Sequence, residues 1–128
     1  YNVHPLDKRP AAQRLLRLAR AMLYEKTDAA QAPYCDAISM QGECAHLHFH
    51  IFPGDALVMP DEGLRGFTLC GRDGIFHPAQ AVVTGPAPVE VRHAEIPHPM
   101  VVRYAWADYI PEANLFTRAG LAAAPFSL

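Results

Sequence analysis

The sequence predicts a mainly β protein, namely an antiparallel β-sandwich preceded by one α-helix. Three observations favour this class. From residue 34 onward, short runs rich in Val, Ile, Phe and Tyr alternate with turn signals at a spacing of about ten residues. Before that point, residues 8–25 show the three-and-four spacing of apolar residues that is typical of a helix. A chain of 128 residues with 51% hydrophobic and 19% charged residues is long and apolar enough for one packed core.

Residues 8–25 are predicted to form one amphipathic helix. Asp7 precedes it as a candidate N-cap, and Pro10 is tolerated because it falls in the first turn. The apolar stripe of this helix needs a partner surface, and it comprises Ala11, Leu15, Leu18, Ala19 and Met22. Residues 26–33 lose the helical pattern and are predicted to be a linker.

Six strands are predicted after the linker, at residues 34–40, 44–51, 65–70, 75–83, 88–93 and 99–105. Gly, Pro, Asp and Asn clusters separate them, and Asp73-Gly74 is the best hairpin signal of the set. Residues 106–128 are predicted to be an irregular tail. Its large apolar side chains indicate that it packs on another surface, and they include Trp106, Phe116 and Phe126.

Composition excludes several classes of protein. A net charge of −2 and a pI near 6.4 do not favour nucleic acid or an anionic membrane as partner. The apolar runs are far shorter than the roughly 20 residues that cross a bilayer. Cys35, Cys44 and Cys70 allow at most one internal disulfide, and they form neither a C-x-x-C motif nor a zinc-ribbon spacing.

His4 is the candidate catalytic residue. Pro5 restricts the backbone beside it and a helix follows closely, so the imidazole is held at a helix entrance, where it can act as a general base near neutral pH. The chain offers no evident nucleophile for such a base. Ser39 and Ser127 do not lie in a Gly-x-Ser-x-Gly elbow, and the cysteines are more typical of buried, inert thiols.

His46, His48 and His50 form a second candidate group. At a period of two they share one strand face, while Leu47, Phe49 and Ile51 share the other. Two such histidines can bind zinc when further ligands are supplied from elsewhere. The same pattern is typical of a surface strand with a polar outer face and an apolar inner face. A surface strand of this kind is more common than a zinc site.

Aromatic residues near the start of the tail suggest a third site. Tyr104, Trp106 and Tyr109 could form a platform that stacks on a sugar ring. Such clusters are more often core or an interdomain contact.

Several motifs, taken together, carry a family resemblance. They are His4-Pro5-Leu6-Asp7-Lys8-Arg9, the segment 66–79, the run Val102-Arg103-Tyr104-Ala105-Trp106-Ala107-Asp108, the segment 111–116, and the ending 120–126. In this order they resemble the C-terminal part of sialate O-acetylesterase-like carboxylesterases. The resemblance covers nearly the whole chain.

This resemblance implies a division of the chain at residue 28. Residues 1–28 would be the end of an α/β hydrolase domain of the SGNH type, with His4 as its base and the helix 8–25 left over from that domain. Residues 29–128 would be the β-sandwich domain with its irregular tail. The serine nucleophile and the oxyanion hole would lie before Tyr1, and the missing domain would pack on helix 8–25 and on the tail 106–126.

The function implied by the resemblance is hydrolysis of acetyl esters on sugars, either sialic acid or another acetylated carbohydrate. It needs no cofactor and no metal, and it favours a periplasmic or extracellular location. The isolated 128-residue chain would then be inactive. The alternative is a non-catalytic β-sandwich that binds carbohydrate or a protein partner.

The sequence departs from the family pattern at the triad acid. Asn2 stands near the position where the family often has an aspartate. An asparagine can orient an imidazole but cannot stabilise the imidazolium as a carboxylate does, and in serine proteases the same exchange lowers turnover by about 10⁴. The identity of the acid is therefore open.

Overall fold

The computed structural model describes residues 7–24 and 31–128. The chain divides into two compact units, Tyr1–Gln31 and Ala32–Leu128. The boundary predicted between residues 28 and 29 lies outside the described residues. No helix in the described ranges has the length and apolarity needed to span a bilayer.

The first unit contains one helix, α1 (Arg9–Tyr24). The carboxylate of Asp7 accepts a hydrogen bond from the backbone N–H of Arg9 at 3.0 Å, which satisfies one of the free donors at the helix start and confirms the capping role predicted for Asp7. None of the helix residues is buried, and the side chains of Leu15 and Met22 are 67% and 79% exposed.

The first sheet of the second unit has four antiparallel strands. Its order is β1 (Tyr34–Gln41), β2 (Cys44–His50), β6 (Pro88–Arg92) and β5 (Gln80–Val83). The first two strands form a hairpin closed by Gly42 and Glu43, because Gln41 pairs directly with Cys44. A bulge at Asp36 shifts the register of the edge strand β1.

The second sheet also has four antiparallel strands, in the order β4 (His77–Pro78), β3 (Phe67–Cys70), β7 (Val101–Tyr104) and β8 (Phe126–Ser127). The hairpin predicted at Asp73-Gly74 is confirmed, since β3 and β4 pair on either side of it. The N–H of Gly74 donates to the carbonyl of Gly71 at 3.2 Å within this connection.

One hydrophobic core lies between the two sheets. The rings of Phe49 in β2 and Phe126 in β8 meet edge to face at a centroid distance of 5.9 Å, which joins the sheets directly. The predicted mainly β fold with one helix is confirmed for the described part of the chain, and the shared core makes it a sandwich. The core side chains from the sheets are Ala45, Leu47, Phe49, Ala81, Val89, Val91, Phe67, Leu69, Val102, Tyr104 and Phe126.

The prediction of a single strand at residues 75–83 is wrong. It divides into β4, which pairs in the second sheet, and β5, which pairs in the first. Pro78 has no N–H to donate to a ladder, and the N–H of Ala79 makes the last bond to the second sheet, to the carbonyl of Phe67 at 3.0 Å. The chain then crosses to the other sheet, where Gln80 pairs with Arg92.

The tail predicted to be irregular adds a strand and part of the core. Its last strand, β8, pairs with β7, and isolated bridges join Leu57 to Thr117 and Phe116 to Ala122. The tail therefore packs on the sandwich itself through the side chains of Leu115, Thr117, Leu121, Ala123 and Phe126, all of which are buried.

Candidate functional site

His4, the predicted catalytic base, lies outside the described residues, as does Asn2. The structure begins at Asp7, whose Oδ1 atom accepts from both the backbone N–H and the side-chain Nε of Arg9, at 3.0 and 3.1 Å. Asp7 is thus engaged at the start of the helix, which fits capping better than pairing with an imidazole.

The two serines occupy different strands. Ser127 lies in β8, where its hydroxyl accepts a hydrogen bond from Arg103 Nε at 3.1 Å. Ser39 lies exposed in β1, directly opposite His46 of β2, and His46 pairs in turn with Glu90 of β6. Serine, histidine and glutamate therefore stand in one row across three strands.

This row lacks the contacts of a hydrolytic triad. His46 Nδ1 lies 3.5 Å from Glu90 Oε1, but within the described ranges no hydrogen bond joins the Ser39 hydroxyl to His46. A nucleophile and its base need such a bond or a close approach to it. The central strand β2 also holds its backbone N–H groups in ladders on both sides, so they are not free to act as oxyanion donors.

The three histidines of β2 lie on the outer face of the sheet, and the alternation predicted for this strand is confirmed. Ala45, Leu47 and Phe49 are buried on the inner face. Each histidine has a neighbour of its own on the outer face. His48 Nδ1 lies 3.0 Å from Asp36 Oδ1, and the ring of His50 stacks on Tyr34 at 5.0 Å. In the part of the chain that the structure describes, no three His, Cys, Asp or Glu residues are grouped to hold a metal ion.

The cysteines are all free thiols. Burial raises the pKa of Cys35 to about 11, although the backbone of Ala37 and of His48 acts in the opposite direction. The thiol donates to the carbonyl of Ala37 at 3.4 Å, which favours its protonated form. A thiol with this pKa stays protonated at neutral pH and is a poor nucleophile. This agrees with the interpretation of Cys35 as inert.

The aromatic group near the tail divides into two environments. Tyr104 is buried, its ring lies 4.7 Å from that of Phe67, and its hydroxyl accepts the N–H of Leu115 at 2.9 Å. Tyr104 therefore belongs to the core, as the more common of the two alternatives has it, and takes no part in a sugar platform. Trp106 and Tyr109 are instead 54% and 81% exposed.

A sharp corner of the backbone presents Trp106 at the surface. Ala105 ends β7 with φ at +47°, and among the described residues it is the one position other than glycine in the left-handed region. Its N–H donates to the carbonyl of Gly66 at 2.9 Å. Gly66 has no room for a side chain, because a Cβ there would lie 2.9 Å from the Cβ of Ala113.

Asn114 joins the tail to the loop before β3. Its Oδ1 accepts the N–H of Arg65 at 2.8 Å, and its Nδ2 donates to the carbonyl of Gly63 at 2.9 Å. Sequence reasoning did not assign this role to Asn114. The partners lie 49 and 51 residues away, and only the general tendency of asparagine to bond to backbone groups could have indicated it.

A shallow pocket of about 320 Å³ opens at this corner. It is lined by Ala105, Trp106, Ala107, Asp108 and Pro125. The indole and the proline supply apolar surface, and Asp108 supplies a carboxylate. We refer to it below as the Trp106 pocket.

A solved structure is similar to this chain over nearly its whole length. It is the crystal structure of a carbohydrate acetylesterase from Xanthomonas citri, with 36% sequence identity and a TM-score of 0.91, and the similarity covers 99% of the present chain. The chain spans 29% of the length of that esterase. No protein-family model and no curated protein sequence matches the chain. The resemblance to an acetylesterase that the sequence motifs indicate is confirmed at this level.

Proposed function

We propose that this chain is the C-terminal part of a carbohydrate esterase that removes acetyl groups from sugars. The observation that carries the proposal is the similarity to a carbohydrate acetylesterase, at 36% identity over 99% of the chain. Because the chain spans 29% of that esterase, the proposal places the remainder of the catalytic machinery in a hydrolase domain of the SGNH type that precedes Tyr1.

The proposed chemistry is a two-step acyl transfer. A serine of the preceding domain attacks the acetyl carbonyl while His4 accepts its proton, and His4 then protonates the departing sugar oxygen. In the second step His4 takes a proton from water, the resulting hydroxide attacks the acetyl-serine, and acetate leaves as the serine recovers its proton. All bonds broken and formed are accounted for without a cofactor.

The assignment of His4 as base is supported by its position before a capped helix. Asp7 fixes the start of α1 through its bonds to Arg9, and His4 lies three residues before Asp7. Because Asp7 is occupied in this way, the acid that pairs with His4 is proposed to be a carboxylate of the preceding domain. Without such a carboxylate, the amide of Asn2 could orient the imidazole but could not stabilise the imidazolium.

The apolar stripe of α1 supports the proposed preceding domain. Leu15, Met22 and Leu23 are 67%, 79% and 73% exposed, and a 16-residue helix that buries none of its residues gains little from packing. A hydrolase domain that covers this stripe would remove that apolar surface from water, at roughly 25 cal/mol per Å². The exposed Trp106 and Tyr109 are available for the same domain or for substrate.

The test is acetate release from acetylated oligosaccharides by the protein translated from the complete reading frame. We expect His4→Ala to lower kcat by roughly 10²–10⁴. His50→Ala is the matched control, because His50 lies on the outer face of β2 stacked against Tyr34, and it should keep wild-type turnover. Acetate release that His4→Ala leaves unchanged would exclude His4 as the base.

The second candidate function is a non-catalytic module that binds carbohydrate. The compact unit Ala32–Leu128 with an exposed tryptophan beside a pocket favours it. The acetate-release assay separates the esterase from the binding module. A binding module would bind saccharide but release no acetate in any variant.

A further inference from the structure

We infer that the Trp106 pocket binds the ring of a neutral saccharide, and that it discriminates against acidic sugars such as sialic acid. Binding of saccharide by the pocket is independent of the proposed esterase. The consequence for the enzyme, a neutral acetylated substrate rather than a sialic acid, rests on the proposed function.

The exposure of Trp106 is the first support. The indole remains 54% exposed while the neighbouring Tyr104 is buried, and the corner that separates them places Ala105 in the left-handed region. That conformation costs an alanine roughly 1–2 kcal/mol. The hydrogen bond from Ala105 to the carbonyl of Gly66 holds this corner in place. Asn114 in turn bonds to Arg65 and Gly63, in the loop that leads to Gly66.

The chemistry of the lining is the second support. The face of an indole carries negative partial charge and attracts the slightly positive C–H groups on one side of a pyranose ring. Asp108, next to the indole in the lining, offers carboxylate oxygens that accept hydrogen bonds from sugar hydroxyls. A volume of about 320 Å³ lies at the lower end of the range of small-molecule pockets, roughly 300–1,000 Å³.

Charge decides between the sugar classes. Asp108 is the one titratable side chain among the residues described as lining the pocket. An acidic sugar would bring a second negative charge close to it, with no arginine in the lining to pair with the sugar carboxylate. A neutral sugar meets no such repulsion.

The test uses the fact that Trp106 is the only tryptophan of the 128-residue chain. Its fluorescence therefore reports on this pocket alone. We expect neutral oligosaccharides from acetylated plant polysaccharides to shift the emission and to protect it from acrylamide quenching. N-acetylneuraminic acid at the same concentrations should do neither.

Variants measured by calorimetry complete the test. Trp106→Ala should weaken neutral oligosaccharide binding at least 10-fold, and Trp106→Phe should recover most of it because a stacking face remains. Tyr34→Ala, which removes a half-exposed aromatic ring from the other sheet, is the control and should bind normally. Asp108→Asn should reduce the preference for neutral over acidic sugar.

Three results would overturn the inference. The first is the absence of any emission change with neutral oligosaccharides, and the second is equal binding of N-acetylneuraminic acid. The third is a Trp106 emission in the longer protein, taken as the difference between wild type and Trp106→Phe, that is already shielded from acrylamide without sugar. The last would show that the pocket is a contact between domains. Acetate release without saccharide binding at Trp106 would refute this inference alone, whereas binding without acetate release would refute the proposed esterase alone.

Discussion

The hydroxyl of Tyr104 accepts a hydrogen bond from the backbone N–H of Leu115 at 2.9 Å, and both residues are buried. This bond joins the end of β7 to the tail 11 residues further along the chain. Burial raises the pKa of Tyr104, so the hydroxyl stays protonated while it accepts this bond. The tyrosine is therefore a structural tie between strand and tail.

Tyr104→Phe is expected to destabilise the sandwich by about 1–3 kcal/mol, because the N–H of Leu115 would be left buried without an acceptor. Chemical denaturation monitored by the fluorescence of Trp106 measures the change. Tyr109→Phe serves as control, since Tyr109 is 81% exposed, and it should leave the free energy of unfolding unchanged. Equal stability of the two variants would mean that the bond contributes nothing.

Gly66→Ala is expected to be far more damaging than Gly63→Ala. The two glycines have similar left-handed backbones, with φ at +90° and +82°, so both variants carry the same conformational cost of roughly 1–2 kcal/mol. A Cβ at Gly66 would also lie 2.9 Å from the Cβ of Ala113, whereas a Cβ at Gly63 meets nothing within 4 Å. Thermal unfolding of both variants isolates this steric contribution, and similar melting temperatures would contradict it.

The carboxyl of Asp55 is expected to make the stability of the sandwich depend on pH. Burial alone would raise its pKa, but the nearby Thr117 hydroxyl and two backbone N–H groups outweigh burial and hold the pKa below its usual value. The N–H groups of Ala56 and Ala119 donate to Oδ1 at 2.9 and 3.3 Å. A carboxyl whose pKa is lowered by folding stabilises the fold above its unfolded pKa of about 3.9, and this contribution is lost as the pH falls through the folded pKa.

Asp55→Asn should therefore be less stable than the wild type near pH 7, and the difference should shrink as the pH is lowered from about 4. Denaturation at a series of pH values gives this curve. Asp61→Asn, at an exposed position, is the control and should follow the wild type throughout. A difference in the free energy of unfolding between wild type and Asp55→Asn that stays constant down to low pH would contradict the lowered pKa of Asp55.

Amide hydrogen exchange on the 128-residue chain should find α1 to be its least protected element. A helix of 16 residues with no buried side chain is marginal in water, whereas β3 and β7 are paired on both sides and reach into the core. Helix amides protected as strongly as those of β3 would show that the apolar stripe of α1 needs no preceding domain to cover it.

Local patterns in the sequence accounted for most of the secondary structure. The spacing of apolar residues predicts α1, and alternation predicts β2, whose inner and outer faces are as expected. Asp7 and the Asp73-Gly74 turn were identified because caps and turns depend on neighbouring residues. The same approach failed at residues 75–83, where the change from one sheet to the other depends on pairing with distant strands.

Local sequence patterns do not predict the features around the Trp106 pocket. Strand β8 has two residues and gains its conformation from pairing with β7. Tyr104 and Trp106 are two residues apart and would share one face of a continuing strand. The left-handed backbone at Ala105 ends the strand between them, so that Tyr104 is buried and Trp106 is exposed. Asp108 lies in the lining of the pocket beyond the corner at Ala105, and no local sequence pattern predicts that corner.

Fluorophosphonates modify activated serines, so peptide mapping of the longer protein after this reaction tests directly whether His4 activates a serine of a preceding domain. We expect one labelled serine in the segment before Tyr1, and we expect His4→Ala to slow labelling roughly 10²-fold or more. Labelling of Ser39 or Ser127, or a labelling rate that His4→Ala leaves unchanged, would contradict this expectation.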